Sequence, residues 1–330
     1  MKEGEPKFQE EKIEEPKRET GVSKKVGFKL EDEESLSTHL KDIFEQHSEK
    51  EVREGFLLKN VEREKTESER KIISAILEKM PNFIKKYGGD PVDIGLDHIH
   101  FLDNHKLDKE AREKLNLFKG GEEGGYNPGQ QLIYVIDSKN NLQNAETITH
   151  EIIHFNSFQS VELTKKDESQ YNFRRVGFEV RSKEDKEIFF VNINEAITEE
   201  LVKRFDAEYF SSIPEIADEV KDREKVKKAA KGKGDDISSI ISRELSDKGN
   251  VEYVIAYHAY PRERKQLDKI IRDIYNKFSD KFNTKEDVFK LFAKAAMDGK
   301  LLEISRLIEE TYGKGYFRRI GEATKRKFNT

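Results

Sequence analysis

The sequence predicts an α+β protein in which a sheet and an amphipathic helix form one part and a mostly helical run forms the other. Three observations carry this expectation. A short β-branched segment is followed closely by an uninterrupted amphipathic helix, two more β-prone runs precede a second such helix, and after Phe205 the apolar residues recur with helical period. At 330 residues the chain is long enough for one large domain or two small ones with a sizeable core.

Taken in order, residues 1–34 are rich in Glu, Lys and Pro with little to bury, and are expected to be a disordered charged tail. Residues 35–90 read as a helical N-terminal segment: Leu36, Leu40, Ile43 and Phe44 share one face, and a longer helical stretch near 62–80 ends where Pro81 interrupts it. Residues 97–102 alternate like a strand and put His98 and His100 on one face, where they either take a second metal or are satisfied singly. A flexible stretch follows, with Gly120-Gly121 and Gly124-Gly125-Tyr126-Asn127-Pro128-Gly129. It leads to a buried strand at 131–137, QLIYVID, bounded by turn-forming residues on both sides.

A helix is expected at 145–158, with Asn144 as its N-cap and Ile148, Ile152 and Phe155 as its apolar stripe. Residues 171–180 and 187–192 read as a hairpin closed by Ser182-Lys183-Glu184-Asp185, and a second helix runs from Asn194 to about Phe205. These elements form a core over residues 91–210. Residues 211–330 form a helical C-terminal lobe, with segments at 214–231, 236–247, 262–278, 285–297 and 301–312. Thr284-Lys285-Glu286-Asp287 resembles a helix start, and Gly299, Gly313 and Gly315 punctuate helix ends.

The chemistry concentrates in His150-Glu151-Ile152-Ile153-His154. Residues four apart on a helix share a face, so both imidazoles can reach one metal ion while Glu151 stands beside the ion's open position as a general base. Tetrahedral zinc in a hydrolase wants a third protein ligand and a water. Asn194-Glu195-Ala196-Ile197-Thr198-Glu199 offers one: Glu195 can bind the ion, and Glu199, one turn on, can accept a hydrogen bond from a ligand histidine and fix its tautomer.

HEIIH followed on a later helix by NEAITE resembles the gluzincin clan of zinc metallopeptidases, densely over residues 124–205. Small size and the lack of an export signal resemble its minigluzincin-like members more than its secreted thermolysin-like ones. The resemblance implies a zincin-like two-lobe fold, with an upper lobe of twisted mixed sheet plus the metal helix and a mostly helical lower lobe. It implies that His150, His154 and Glu195 bind one Zn2+ per chain, that Glu151 is the catalytic base, and that Glu199 orients a ligand histidine. Glu199 stands where thermolysin-like members have Asp. The clan also uses an edge strand on the cleft rim, which falls on Gly125 and Tyr126 as substrate-binding residues, and a downstream Tyr or His that stabilises the oxyanion. Tyr253, Tyr257, His258 and Tyr260 are the candidates for that donor, with Tyr257 and Tyr260 favoured. A metzincin would need Gly at 157 and His at 160, where this chain has Ser157 and Ser160.

The expected function is therefore hydrolysis of peptide bonds by an activated water, with a peptide or protein as the partner. Two alternatives stand beside it: a catalytically silent binding or regulatory protein that kept the fold, and a latent enzyme blocked by its N-terminal segment. Composition narrows the rest. Lys and Arg (61) nearly balance Asp and Glu (66), a net charge of −5 that gives no electrostatic case for nucleic acid or an anionic membrane. The basic run at 221–233 is broken by acids and reads as a solvated helix face. Cysteine is absent, so a metal must use nitrogen and oxygen donors. No secretory signal or bilayer-length apolar run is visible, and the expected location is the cytoplasm, with non-classical export left open.

Overall fold

The computed structural model describes residues 60–114, 123–128, 131–138, 140–164, 167–182, 187–230, 236–244 and 251–327. Expectations for the tail, for residues 35–59 and for Gly120, Gly121 and residues 183–186 lie outside these. The described chain is an α+β protein.

Its first sheet contains β1 (Glu62–Arg63), β2 (Ile99–Leu102), β3 (Gly124–Asn127) and β4 (Leu132–Ile136) in the order β1-β2-β4-β3. β2 and β4 are parallel, and the outer strands β1 and β3 are antiparallel to their neighbours. Buried Ile99, Phe101, Ile133 and Val135 face the main core, while Leu102 and Ile136 join Val61, Leu107 and Ala111 in a small cluster of their own. Helix α1 (Glu67–Lys86) connects β1 to β2, and the short α2 (Lys109–Lys114) follows β2. Thr66 caps α1 in a reciprocal capping box with Glu69. The expected break at Pro81 does not occur, and α1 runs on through it to Lys86. A proline inside a helix costs about 3 kcal/mol. The turn beyond it buries Phe83 and Ile84 completely, and each such side chain returns about 1.5–3 kcal/mol.

Helix α3 (Asn141–Asn156) is the central element and buries residues on nearly every face. It starts four residues earlier than expected. Asn140 is the N-cap, its side chain accepting from Gln143 N at 2.8 Å, whereas Asn144 Oδ1 accepts from the Ser138 backbone and hydroxyl.

The second sheet is antiparallel: β5 (Gln159–Thr164), β6 (Asp167–Val176), β7 (Glu179–Arg181), β8 (Glu187–Phe189) and the late β11 (Arg326–Lys327), ordered β11-β8-β7-β6-β5. Residues 171–180 are thus two strands rather than one, because the chain reverses at Gly177. Its φ of +57° suits glycine, and a Cβ there would lie 2.4 Å from Asn194 Oδ1. Strand β5 was not foreseen, and the strand expected at 187–192 is shortened because helix α4 (Val191–Tyr209) begins three residues before Asn194.

The C-terminal half is mostly helical, with one expected helix corrected. After α5 (Ala217–Ala229), residues expected to form a helix at 236–247 form β9 (Ile237–Glu244), paired antiparallel with β10 (Val251–Tyr257). Ile237, Ile240 and Ile241 mimic helical spacing, but isoleucine and serine are poor helix formers and the partner VEYVIAY is strongly β-prone. Then come α6 (Pro261–Lys277), α7 (Lys285–Asp298), α8 (Leu302–Tyr312) and an unforeseen α9 (Tyr316–Ala323). Thr284 caps α7 with a capping box to Asp287, and Gly299 and Gly313 follow the ends of α7 and α8 as anticipated. One continuous apolar core joins α1, α3, α4, α6, α7 and α8 to the first sheet. No helix among the described residues is long and apolar enough to cross a membrane.

Candidate metal centre

Two neighbouring helices build the site. His150 and His154 lie one turn apart on α3, and Glu195 and Glu199 lie one turn apart on α4. His150 Nε2 and His154 Nε2 are 3.0 Å apart, and Glu195 Oε2 lies 3.2 Å from the first and 3.4 Å from the second. Donors bound at about 2.0–2.1 Å by a tetrahedral ion sit about 3.3 Å from one another. The three atoms form a triangle of that size, so His150, His154 and Glu195 could hold one metal ion.

Glu199 turns its two oxygens in opposite directions. Oε2 accepts from His150 Nδ1 at 2.9 Å, and with that proton on Nδ1 the ring turns Nε2 toward the triangle. Burial opposes protonation of His150, but Glu195 and Glu199 outweigh it and hold its pKa well above the ordinary imidazole value. Oε1 accepts from His258 Nδ1 at 3.0 Å and from Ala259 N at 3.1 Å. Burial opposes ionisation of Glu199, but the bonds from His150 and His258 outweigh it and hold its pKa at about 2. Glu195 is likewise lowered despite its burial, by the charges and hydrogen bonds of His154 and His150. Burial pushes Glu151 the other way, above the ordinary carboxylate range, against the pull of His150 and His154.

Strand β3 runs over this helix. A Cβ at Gly124 would lie 2.5 Å from Thr147 Cγ2 and 3.7 Å from Glu151 Cγ, so only glycine lets the strand approach the helix beside the candidate base. At Gly125 a Cβ would strike Tyr134 Oη at 2.1 Å. The Tyr126 side chain turns toward the end of α3, its ring 5.1 Å from Phe155 and its hydroxyl accepting from Gln131 and Gln159. Of the β3 residues, it is Gly124 that lies beside Glu151. Glu123, just before β3, hydrogen-bonds Gln143 on α3 and was not singled out by the sequence.

Of the aromatic candidates, Tyr260 meets a ligand: its ring stacks on His150 with centroids 6.0 Å apart. Tyr257 ends β10 and is 53% exposed. His258 is buried behind Glu199, which removes it as an oxyanion donor and gives it a partner that its sequence position does not reveal. No protein-family model matches the chain, and neither a curated protein nor a solved structure is significantly similar to it.

His98 and His100 do not converge. His98 sits in a 3-10 turn (Leu96–His98) with Nδ1 2.9 Å from Gln131 O, and His100 pairs with Glu62 at 2.7 Å. A second group, Glu146, Asp206 and His258, also has metal-binding spacing. It already contains a cation: the Arg223 guanidinium reaches both Asp206 oxygens at 2.7 Å and Ser238 O at 2.9 Å. Within the basic run, Lys225 and Lys227 pair with Asp222 and Glu224 on their own helix, whereas Arg223 is a buried anchor.

Proposed function

We propose that this chain is a zinc-dependent metallopeptidase of the gluzincin type, in which Glu151 drives water onto a peptide carbonyl. The observation that carries the reading is the triangle of two imidazole nitrogens and one carboxylate oxygen, 3.0–3.4 Å on each edge and drawn from two helices. Two neutral imidazoles and a carboxylate suit zinc, which when bound supplies Lewis acidity toward a water and a carbonyl. Glu151, on the turn between the two histidines, accepts the water's proton and returns it to the leaving amine. Glu199 keeps the His150 proton on Nδ1. Tyr260, against His150, is the better-placed hydroxyl to stabilise the oxyanion, ahead of Tyr257. β3 is the outer strand of its sheet, paired on one side with β4, and its Gly125 and Tyr126 stand where the gluzincin resemblance puts the substrate-binding edge strand. On this reading the two sheets with α3 form an upper lobe and the helices from α4 onward a lower one, with the substrate cleft between them.

The test joins metal analysis with cleavage of a peptide mixture. Glu151→Gln should retain zinc but lose at least about 10²-fold in kcat/KM, and Glu195→Ala should lose the zinc. A Glu151→Gln protein as active as the parent would refute the base assignment.

A further inference from the structure

We propose that His258 is a positioning residue of the metal centre: by fixing the Glu199 carboxylate it holds the His150 imidazole with Nε2 toward the ion. The inference rests on the metal-site reading above and assigns a buried histidine that the hydrolytic steps leave unused.

A carboxylate's terminal torsion is broad, so a glutamate with a single partner swings. Glu199 has three. His258 Nδ1 and Ala259 N both donate to Oε1, at 3.0 and 3.1 Å, and this leaves Oε2 aimed at His150 Nδ1 at 2.9 Å. His258 is fixed in turn. Its backbone N donates to Asp236 O at 2.9 Å, and its Nε2 faces Asp206, 4.0 Å away and clamped by Arg223. With 3% of its surface exposed, it does not meet substrate.

The turn that carries it is unusual in the same place. Tyr260 is left-handed at φ 54° and ψ 45°, one of three described non-glycine residues with positive φ. Such a conformation strains a residue that carries a Cβ. It lets three consecutive residues reach the centre: His258 and Ala259 bind Glu199, and the Tyr260 ring lies on His150. Packing alone would be served by an apolar side chain at 258, but the donor toward Glu199 would not.

Two near-isosteric variants of the full chain separate the roles. His258→Asn places an amide N–H where Nδ1 was, and His258→Gln carries its amide toward Asp206 and leaves Glu199 Oε1 with the backbone donor alone. The readouts are zinc affinity by competition with a chromophoric chelator, the visible spectrum of the cobalt(II)-loaded protein, and the melting temperature of the metal-free protein. We expect His258→Gln to bind zinc about 10–100-fold more weakly with an altered cobalt spectrum, and His258→Asn to stay close to the parent in both. Parent-like zinc affinity and spectrum in His258→Gln overturn the inference, as does equal weakening in both variants that tracks a lowered melting temperature. Should His258→Gln not fold, weakened binding in folded His258→Asn overturns it as well. A parent chain that binds no zinc instead sinks the metal-centre reading, and this inference with it.

Discussion

Glu69 shows how one side chain can serve several partners. It closes the capping box of α1 by accepting from Thr66 N at 2.7 Å, and it takes both Arg63 Nη atoms at 2.5 and 2.9 Å. Burial raises its pKa, but the Arg63 and Thr66 bonds outweigh burial and leave it below its ordinary value of 4.5. A carboxylate whose folded pKa is depressed adds stability above the unfolded pKa and loses it as pH falls through the folded one. Glu69→Gln should therefore cost about 1–3 kcal/mol near neutral pH, with a gap to the parent that closes below about pH 4.5. Urea unfolding at pH 7 and pH 3 checks this. A gap of the same size at both would mean that the ionised carboxylate is not what matters.

At the scale of elements, α1 carries a proline that its surroundings overrule. Its first turn is capped and its last turn is buried, so the missing hydrogen bond at Pro81 is tolerated rather than favoured. Pro81→Ala should restore that bond and raise stability by about 1–3 kcal/mol, read as a higher melting temperature. An unchanged or lower value would show that the path set by the proline itself packs better. The helices of the candidate centre were legible in the sequence because their signal is local: His150 and His154, like Glu195 and Glu199, are one turn apart on elements whose apolar stripes are unbroken. β9 was not, since the spacing of Ile237, Ile240 and Ile241 fits a helix as well as a strand until β10 pairs with it. His258 was hidden for another reason. Its partner Glu199 lies 59 residues away, and no pattern along the chain records a contact made only by folding.

At the scale of the molecule, the main core passes without interruption through both candidate lobes, so their separation is a matter of surface shape rather than of independent folding. The two helices that supply the candidate ligands are separated along the chain by strands β5 to β8, with His150 and Glu195 lying 45 positions apart. An ion that binds the folded chain alone adds about 2.7 kcal/mol at a hundredfold excess over its dissociation constant. Chelation should thus lower the melting temperature, and zinc should restore it. No shift on adding EDTA to zinc-loaded protein would show that the helices stay together unaided. The described chain contains no cysteine. A staple across 45 residues that forms without oxidation and opens to a chelator would do what a disulfide does for secreted domains. Catalysis and durability would then share one reversible knot, and starving the protein of metal would expose it to unfolding as well as silence it.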